Sequence, residues 1–120
     1  MRSLKILLVE DSKDIRTLLA GFLSNLGHKV VEAANGKEGM MIFEKSLDFD
    51  LVITDRNMPG GILGEEVVRF IKFSYPQTKV FLMSSDLERE VEMVAKAAGA
   101  DGVFDKRALI GRMEEVLKNF

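Results

Sequence analysis

Five positions in this 120-residue sequence could act together on an anion: the adjacent acids Glu10 and Asp11, the acid Asp55, the hydroxyl of Ser84 and the ammonium of Lys106. Three carboxylates in one place repel one another and raise each other's pKa unless a cation sits among them. An all-oxygen set of this kind suits Mg²⁺, which takes one or two carboxylates, retained waters and phosphate oxygens. A hydroxyl and an ammonium aimed at the same point complete a site for a tetrahedral dianion, metal on one side and donors on the other. Phosphoryl transfer needs that arrangement, because its catalysis is mostly positioning and neutralisation of charge on the equatorial oxygens. Asp55 is then the acceptor, since carboxylates serve as phosphoryl acceptors.

Taken singly, each residue has a plainer reading. Glu10 and Asp11 suit the start of a helix, where acids meet the dipole. Asp55 suits a turn before Met58-Pro59-Gly60. Ser84 could be a helix cap and Lys106 a surface lysine. What favours chemistry is that all of them follow directly on short apolar runs.

Those runs are Leu4–Val9, Lys29–Ala33, Asp50–Thr54, Lys79–Met83 and Gly102–Phe104. The first, third and fourth are almost continuous in Leu, Ile, Val and Phe, as strands covered on both faces are. Between the runs the apolar period becomes helical. Ile15, Leu18, Leu19, Phe22, Leu23 and Leu26 form one stripe, with Asp11 or Ser12 to cap it and Gly27 to stop it. Met40, Met41 and Phe43 line a second helix begun near Asn35-Gly36, and Val67, Val68, Phe70 and Ile71 a third ended by Tyr75-Pro76. Val91, Val94, Ala95 and Ala98 line a fourth, capped by Ser85 or Asp86, and Leu109, Met113, Val116 and Leu117 a fifth.

Alternating strand and helix predicts an α/β fold, a (βα)5 doubly wound open parallel sheet with right-handed crossovers. The common strand order for such a flavodoxin-like sheet is 2-1-3-4-5, with a switch point between strands 1 and 3. Ligands sit at the carboxyl ends of the strands beside that point, where Glu10, Asp11 and Asp55 fall.

The length fits one domain, residues 1–120. A 47% hydrophobic and 30% charged composition is that of a globular chain able to bury a core. The absence of cysteine removes disulfides, thiolate metal sites and cysteine nucleophiles. Seventeen basic and nineteen acidic residues are mixed, with no basic block to neutralise a row of phosphates, so direct nucleic-acid binding is not expected. No apolar stretch approaches the roughly 20 residues needed to span a bilayer, and a soluble, cytoplasmic protein without membrane contact is expected. The single histidine, His28, has no His or Cys partner and reads as a surface or half-buried ring at the far end of the sheet. The methionines, notably Met40, Met41 and Met83, read as core filler.

The runs Ile6–Ser12 and Asp50–Gly60, with Ser84-Ser85, Gly99-Ala100-Asp101 and Lys106, resemble the receiver domain of two-component response regulators of the chemotaxis type, over the whole chain. The resemblance implies that Asp55 accepts a phosphoryl group from a sensor histidine kinase, a phosphotransfer protein or a small phosphodonor. It implies that Asp11 binds Mg²⁺ directly, Glu10 through water and Asn57 through its main-chain carbonyl, with Asp55 also at the metal. Ser84 and Lys106 would each hold a phosphoryl oxygen. The surface of helix 4, strand 5 and helix 5 would then change for a downstream protein or fused output domain, and could also form a homodimer. Such a response is a population shift between two packings. Asn57 and Asp86 could orient an attacking water, which predicts a phosphoaspartate lifetime on the order of minutes or less.

Three departures bear on the transmitting half. The family usually has Lys-Pro with a cis bond, and here Lys106-Arg107 follows strand 5. A cis bond before a non-proline costs about 2.5–4 kcal/mol, so either a trans bond with a shifted loop or a strained exception is expected. Val103 stands at the usual aromatic switch position, with Phe104 next. The segment Pro59–Gly64 is one residue longer than the usual loop, and its glycines favour mobility. The competing reading is a pseudo-receiver that signals without phosphorylation. A dehalogenase-type phosphatase would put its nucleophile after strand 1 and need a second acid and a cap. A flavodoxin would need a hydroxyl- and glycine-rich loop where Glu10-Asp11 stands.

Overall fold

The computed structural model describes residues 2–58, 60–85 and 89–120. Along the chain it has β1 (Lys5–Val9), α1 (Lys13–Asn25), β2 (Lys29–Ala33), α2 (Gly36–Lys45), β3 (Leu51–Asp55) and α3 (Gly64–Ser74). These are followed by β4 (Lys79–Ser84), α4 (Arg89–Ala98), β5 (Gly102–Asp105), a 3₁₀ turn (Lys106–Ala108) and α5 (Leu109–Leu117). The strands form one parallel sheet in the order β2-β1-β3-β4-β5. The predicted doubly wound sheet and its switch point between β1 and β3 are the ones observed. Asp55 and Ser84 are the last residues of their strands, so both strands end one residue later than the sequence implied.

Side chains alternate between the two faces of the sheet, as a period of two requires. Leu7, Val9, Val52, Val80 and Leu82 face one core with Phe43, Val67, Ile71, Val91 and Ala95 of α2, α3 and α4. Ile6, Leu8, Ile53, Met83 and Phe104 face the other with Leu19, Leu23, Met113 and Leu117 of α1 and α5. Both layers bury apolar surface, so β1 and β3 are apolar on each side, and the carboxyl ends of these two strands are held rigidly side by side.

Helix starts follow local chemistry. Ser12 caps α1, its hydroxyl accepting the Ile15 N–H at 3.4 Å. Asn35 caps α2 by accepting the Glu38 N–H at 2.8 Å. Gly27 turns the chain out of α1 with φ +94°. The caps proposed for α4 were Ser85 and Asp86; Asp86 lies outside the described residues, as does Pro59 of the β3–α3 loop.

Three expectations are corrected. Met41 is 50% exposed: the buried stripe of α2 is Gly36, Gly39 and Phe43 with Met40 beside it, and Met41 lies about 100° further round. Leu18 is exposed for the same reason, at the edge of a stripe whose centre is Leu19 and Leu23. His28 is buried, because its Nδ1 accepts the Leu4 N–H at 3.0 Å and ties the α1–β2 turn to the start of β1. No helix among the described residues is long and apolar enough to cross a membrane.

Candidate functional site

The switch point collects the acids. Glu10 follows β1, its N–H donating to Ala33 O at 3.0 Å, and its side chain is wholly buried. Its Oε2 accepts the Ser12 N–H at 3.1 Å. Asp11 is exposed at the turn into α1, and Asp55 is buried at the end of β3. One carboxylate oxygen from each of Glu10, Asp11 and Asp55 lies within 4.8 Å of the others. Ligand oxygens around Mg²⁺ at 2.0–2.1 Å are separated by about 3 to 4.2 Å, so small side-chain adjustments suffice. The donor set is all oxygen, and three ionised carboxylates against one ammonium leave an excess of two negative charges. The residues fit a hard divalent cation.

Lys106 supplies the ammonium. It opens the 3₁₀ turn after β5, and Nζ reaches across the end of β4 to lie 2.6 Å from Glu10 Oε1 and 3.0 Å from Asp55 Oδ2. No cis peptide bond occurs among the described residues, so the trans alternative for Lys106–Arg107 is the one found. The 3₁₀ turn delivers the lysine without a proline.

Ser84 ends β4 and is buried; it lies opposite Asp105 in register, one step past Met83, the register partner of Asp55. Asn57 is exposed in the bend after β3. Val103 is half-buried against the α2–α3–α4 layer. Phe104 points to the other layer, buried and stacked on Phe81 with centroids 5.1 Å apart and planes 11° from parallel. The aromatic on β5 is therefore core, and no ring occupies the usual switch position.

Burial shapes the electrostatics. Desolvation pushes Glu10 up to about 7 against the lowering pull of Lys106. Asp55 is raised by desolvation, again opposed by Lys106. Desolvation pushes Asp11 upward too, but hydrogen bonds from the Glu10 and Asp55 carboxyls outweigh it and hold Asp11 below the ordinary range. Desolvation works against the charge of Lys106, yet its two carboxylate partners hold its pKa above the ordinary lysine value. Without a cation, burial thus favours the protonated form of Glu10 and Asp55, whereas Asp11 is held toward its ionised form and Lys106 toward its charged one.

Two further groups shape the site, and sequence reasoning missed both. Arg16 donates from Nη1 to the main-chain oxygen of Glu10 at 2.8 Å and from Nε to Glu32 at 3.3 Å, fixing the turn that presents Glu10. Its signal was weak: a basic residue one turn into α1. Arg56 forms a two-point pair with Glu65 of α3, at 3.4 and 3.5 Å. Opposite charges bracketing a glycine-rich loop were the available hint.

A family model for the response regulator receiver domain matches residues 6–118. Chemotaxis protein CheY-3 of Vibrio cholerae is 29% identical over 119 residues, covering 97% of this chain and 90% of that protein. Response regulator protein PilR of Pseudomonas aeruginosa is 32% identical over 113 residues, 94% of this chain but 25% of PilR, so this chain spans about a quarter of that relative. Among solved structures, response regulator protein TrrA of Thermotoga maritima, in complex with Mg(2+)-BeF, superposes with a TM-score of 0.85 at 30% identity, covering 96% of both chains.

Proposed function

We propose a phosphorylation-dependent switch, on the premise that the chain belongs to the response regulator receiver domain family. Residues 1–120 act as one receiver domain, a signalling module rather than a turnover enzyme on an external substrate. Asp55 is the phosphoryl acceptor. The observation that carries this reading is the convergence of Glu10, Asp11, Asp55 and Lys106 at the switch point.

Asp11 and Asp55 with the main-chain carbonyl of Asn57 would hold Mg²⁺, with Glu10 acting through water; the TrrA structure, with its Mg(2+)-BeF, supports that choice of ion. When bound, the ion supplies positive charge to the oxygens of the transferred group. A carboxylate oxygen of Asp55 attacks phosphorus. The bond to the donor's imidazole nitrogen, or to the acyl oxygen of a small phosphodonor, breaks, and its electron pair leaves with the donor. Lys106 moves its charge from the Asp55 carboxylate, which the new bond neutralises, to a phosphoryl oxygen. Ser84 donates to a second oxygen. The short reach of Lys106 across β4 links this event to β5 and α5. The donor is a sensor histidine kinase, a phosphotransfer protein or a small phosphodonor, and the readout is a downstream protein or fused output domain at the α4–β5–α5 face.

Incubation with Mg²⁺ and acetyl phosphate, followed by intact-mass analysis, tests the reading. Wild type should gain one phosphoryl group and Asp55→Asn none, with loss of the adduct on the order of minutes or less. A wild type that stays unmodified, or an adduct that persists in Asp55→Asn, sinks it in favour of a pseudo-receiver.

A further inference from the structure

The segment from Arg56 to Gly64 joins β3 to α3 and carries Asn57, whose main-chain carbonyl belongs to the metal set proposed above. Local sequence does little to fix its shape. Gly60 and Gly61 take φ +94° and +79°, and a Cβ built on either meets nothing within 4 Å. Leu63, at the cap of α3, makes no side-chain cap hydrogen bond. A loop of this composition has many conformations open to it.

The two ends of the loop are nevertheless held together. The Gly64 N–H donates to Arg56 O at 2.8 Å, and the Arg56 N–H donates to Met83 O at 2.9 Å. Across the same junction the Arg56 guanidinium meets the Glu65 carboxylate through Nε and Nη2. Glu65 is only 6% exposed. Among the described residues no other side chain pairs with that carboxylate. A buried acid in the first turn of a helix is costly unless paired, and its position opposite Arg56 is its compensation.

We infer that the Arg56–Glu65 pair is a strap that sets the position of the Asn57 main chain and thereby the affinity of the acidic site for its divalent cation. Neither residue touches the cation; both are positioning residues. The arginine is covalently next to the acceptor, and the glutamate is anchored on α3, packed through Val67, Val68 and Ile71. The strap therefore references the loop to the rigid layer rather than to the loop's own residues. The inference rests on the reading of the acidic site as a Mg²⁺ site.

The test uses the full chain, with Glu65→Gln, Arg56→Glu and the charge-swapped pair Arg56→Glu/Glu65→Arg. Mg²⁺ affinity is measured by calorimetry, and amide exchange of Gly64 and the loop is followed in metal-free protein. Glu65→Gln and Arg56→Glu should each weaken Mg²⁺ binding about tenfold, the low end of the loss on removing an outer-shell partner, and should speed Gly64 exchange. The swapped pair should restore both. Thermal melting separates a merely structural role, which would lower the midpoint and leave affinity in the folded range unchanged. Single variants that bind Mg²⁺ like wild type, or a swap as weak as the singles, overturn the strap. Should Arg56→Glu not fold, Glu65→Gln alone decides through affinity and exchange. A wild type that binds no Mg²⁺ overturns the metal reading and the strap with it.

Discussion

The Lys106 ammonium lies closer to Glu10, at 2.6 Å, than to the proposed acceptor Asp55, at 3.0 Å. Glu10 is fully buried and Lys106 is half-buried, and Glu10 Oε1 has no hydrogen bond of good geometry despite the short approach. The contact is a charge pair. In the metal-free protein Lys106 thus balances two buried acids at once, and it can serve a phosphoryl group only by giving up part of that work.

Lys106→Met should therefore destabilise the metal-free protein near pH 8 by about 3 kcal/mol, the scale for breaking one side of a buried pair. At pH 5 the loss should shrink, because Glu10, pushed up to about 7, is then protonated. Added Mg²⁺ should recover more stability in the variant than in wild type, since ligand binding to the folded state stabilises it and the competing cation is gone. Urea titrations at both pH values, with and without Mg²⁺, check this; an equal loss at both would count against the pairing.

Mg²⁺ affinity should fall as pH drops below about 7, where desolvated Glu10 takes up a proton. Metal and proton compete for one carboxylate, so the limit is about tenfold per pH unit. The same shift acts on folding with a definite sign. Glu10 binds its proton more tightly folded than at its ordinary 4.5, so its contribution is full below pH 4.5 and is lost as pH rises to about 7. Calorimetric Mg²⁺ titrations between pH 5.5 and 8.5 test the first statement, and Glu10→Gln should flatten the dependence.

The sheet, its strand order and the acidic pair were legible because they rest on period and position. Leu7 and Leu8 are apolar on opposite faces, which only a doubly covered strand requires, and Glu10 and Asp55 follow such strands. The chemistry of Lys106 was legible as a residue type, but its reach across β4 was not, because a 3₁₀ turn does the work of the expected proline. Met41 and Leu18 misled because helix stripes are wider than the core they meet. Arg16, Arg56 and Glu65 act through contacts between elements, and no local pattern encodes these.

His28 carries an acid-sensitive contact. Its Nδ1 accepts from Leu4 N–H, so the proton of the neutral ring is on Nε2, and desolvation lowers its pKa from 6.5. Its contribution to stability is full above pH 6.5 and is lost as pH falls through the lowered folded value. This opposes the Glu10 effect. A proton NMR titration of the single histidine should place its midpoint below 6.5; a midpoint at or above that value would contradict the buried acceptor role.

Gly64 and Gly21 should respond to alanine in opposite ways. A Cβ on Gly64 would run into the main-chain oxygen of Asp55 and lie 2.8 Å from Arg56 Cα and 2.7 Å from Leu82 Cδ1. Two of these neighbours are backbone, at the last residue of β3 and the residue after it, and cannot turn aside. Gly64→Ala should cost about 1–3 kcal/mol as an overpacked site, and it should slow phosphorylation by acetyl phosphate because the strain falls on Asp55 itself. Gly21 lies inside α1 with nothing within 4 Å of a built Cβ. Gly21→Ala should gain about 0.5–1 kcal/mol from reduced backbone freedom and leave the phosphorylation rate unchanged. Denaturant midpoints and adduct formation rates measured on the two variants together separate a site effect from a helix effect. The same chemical change is made in both, and the two sites differ in what the added methyl meets and in their distance from Asp55.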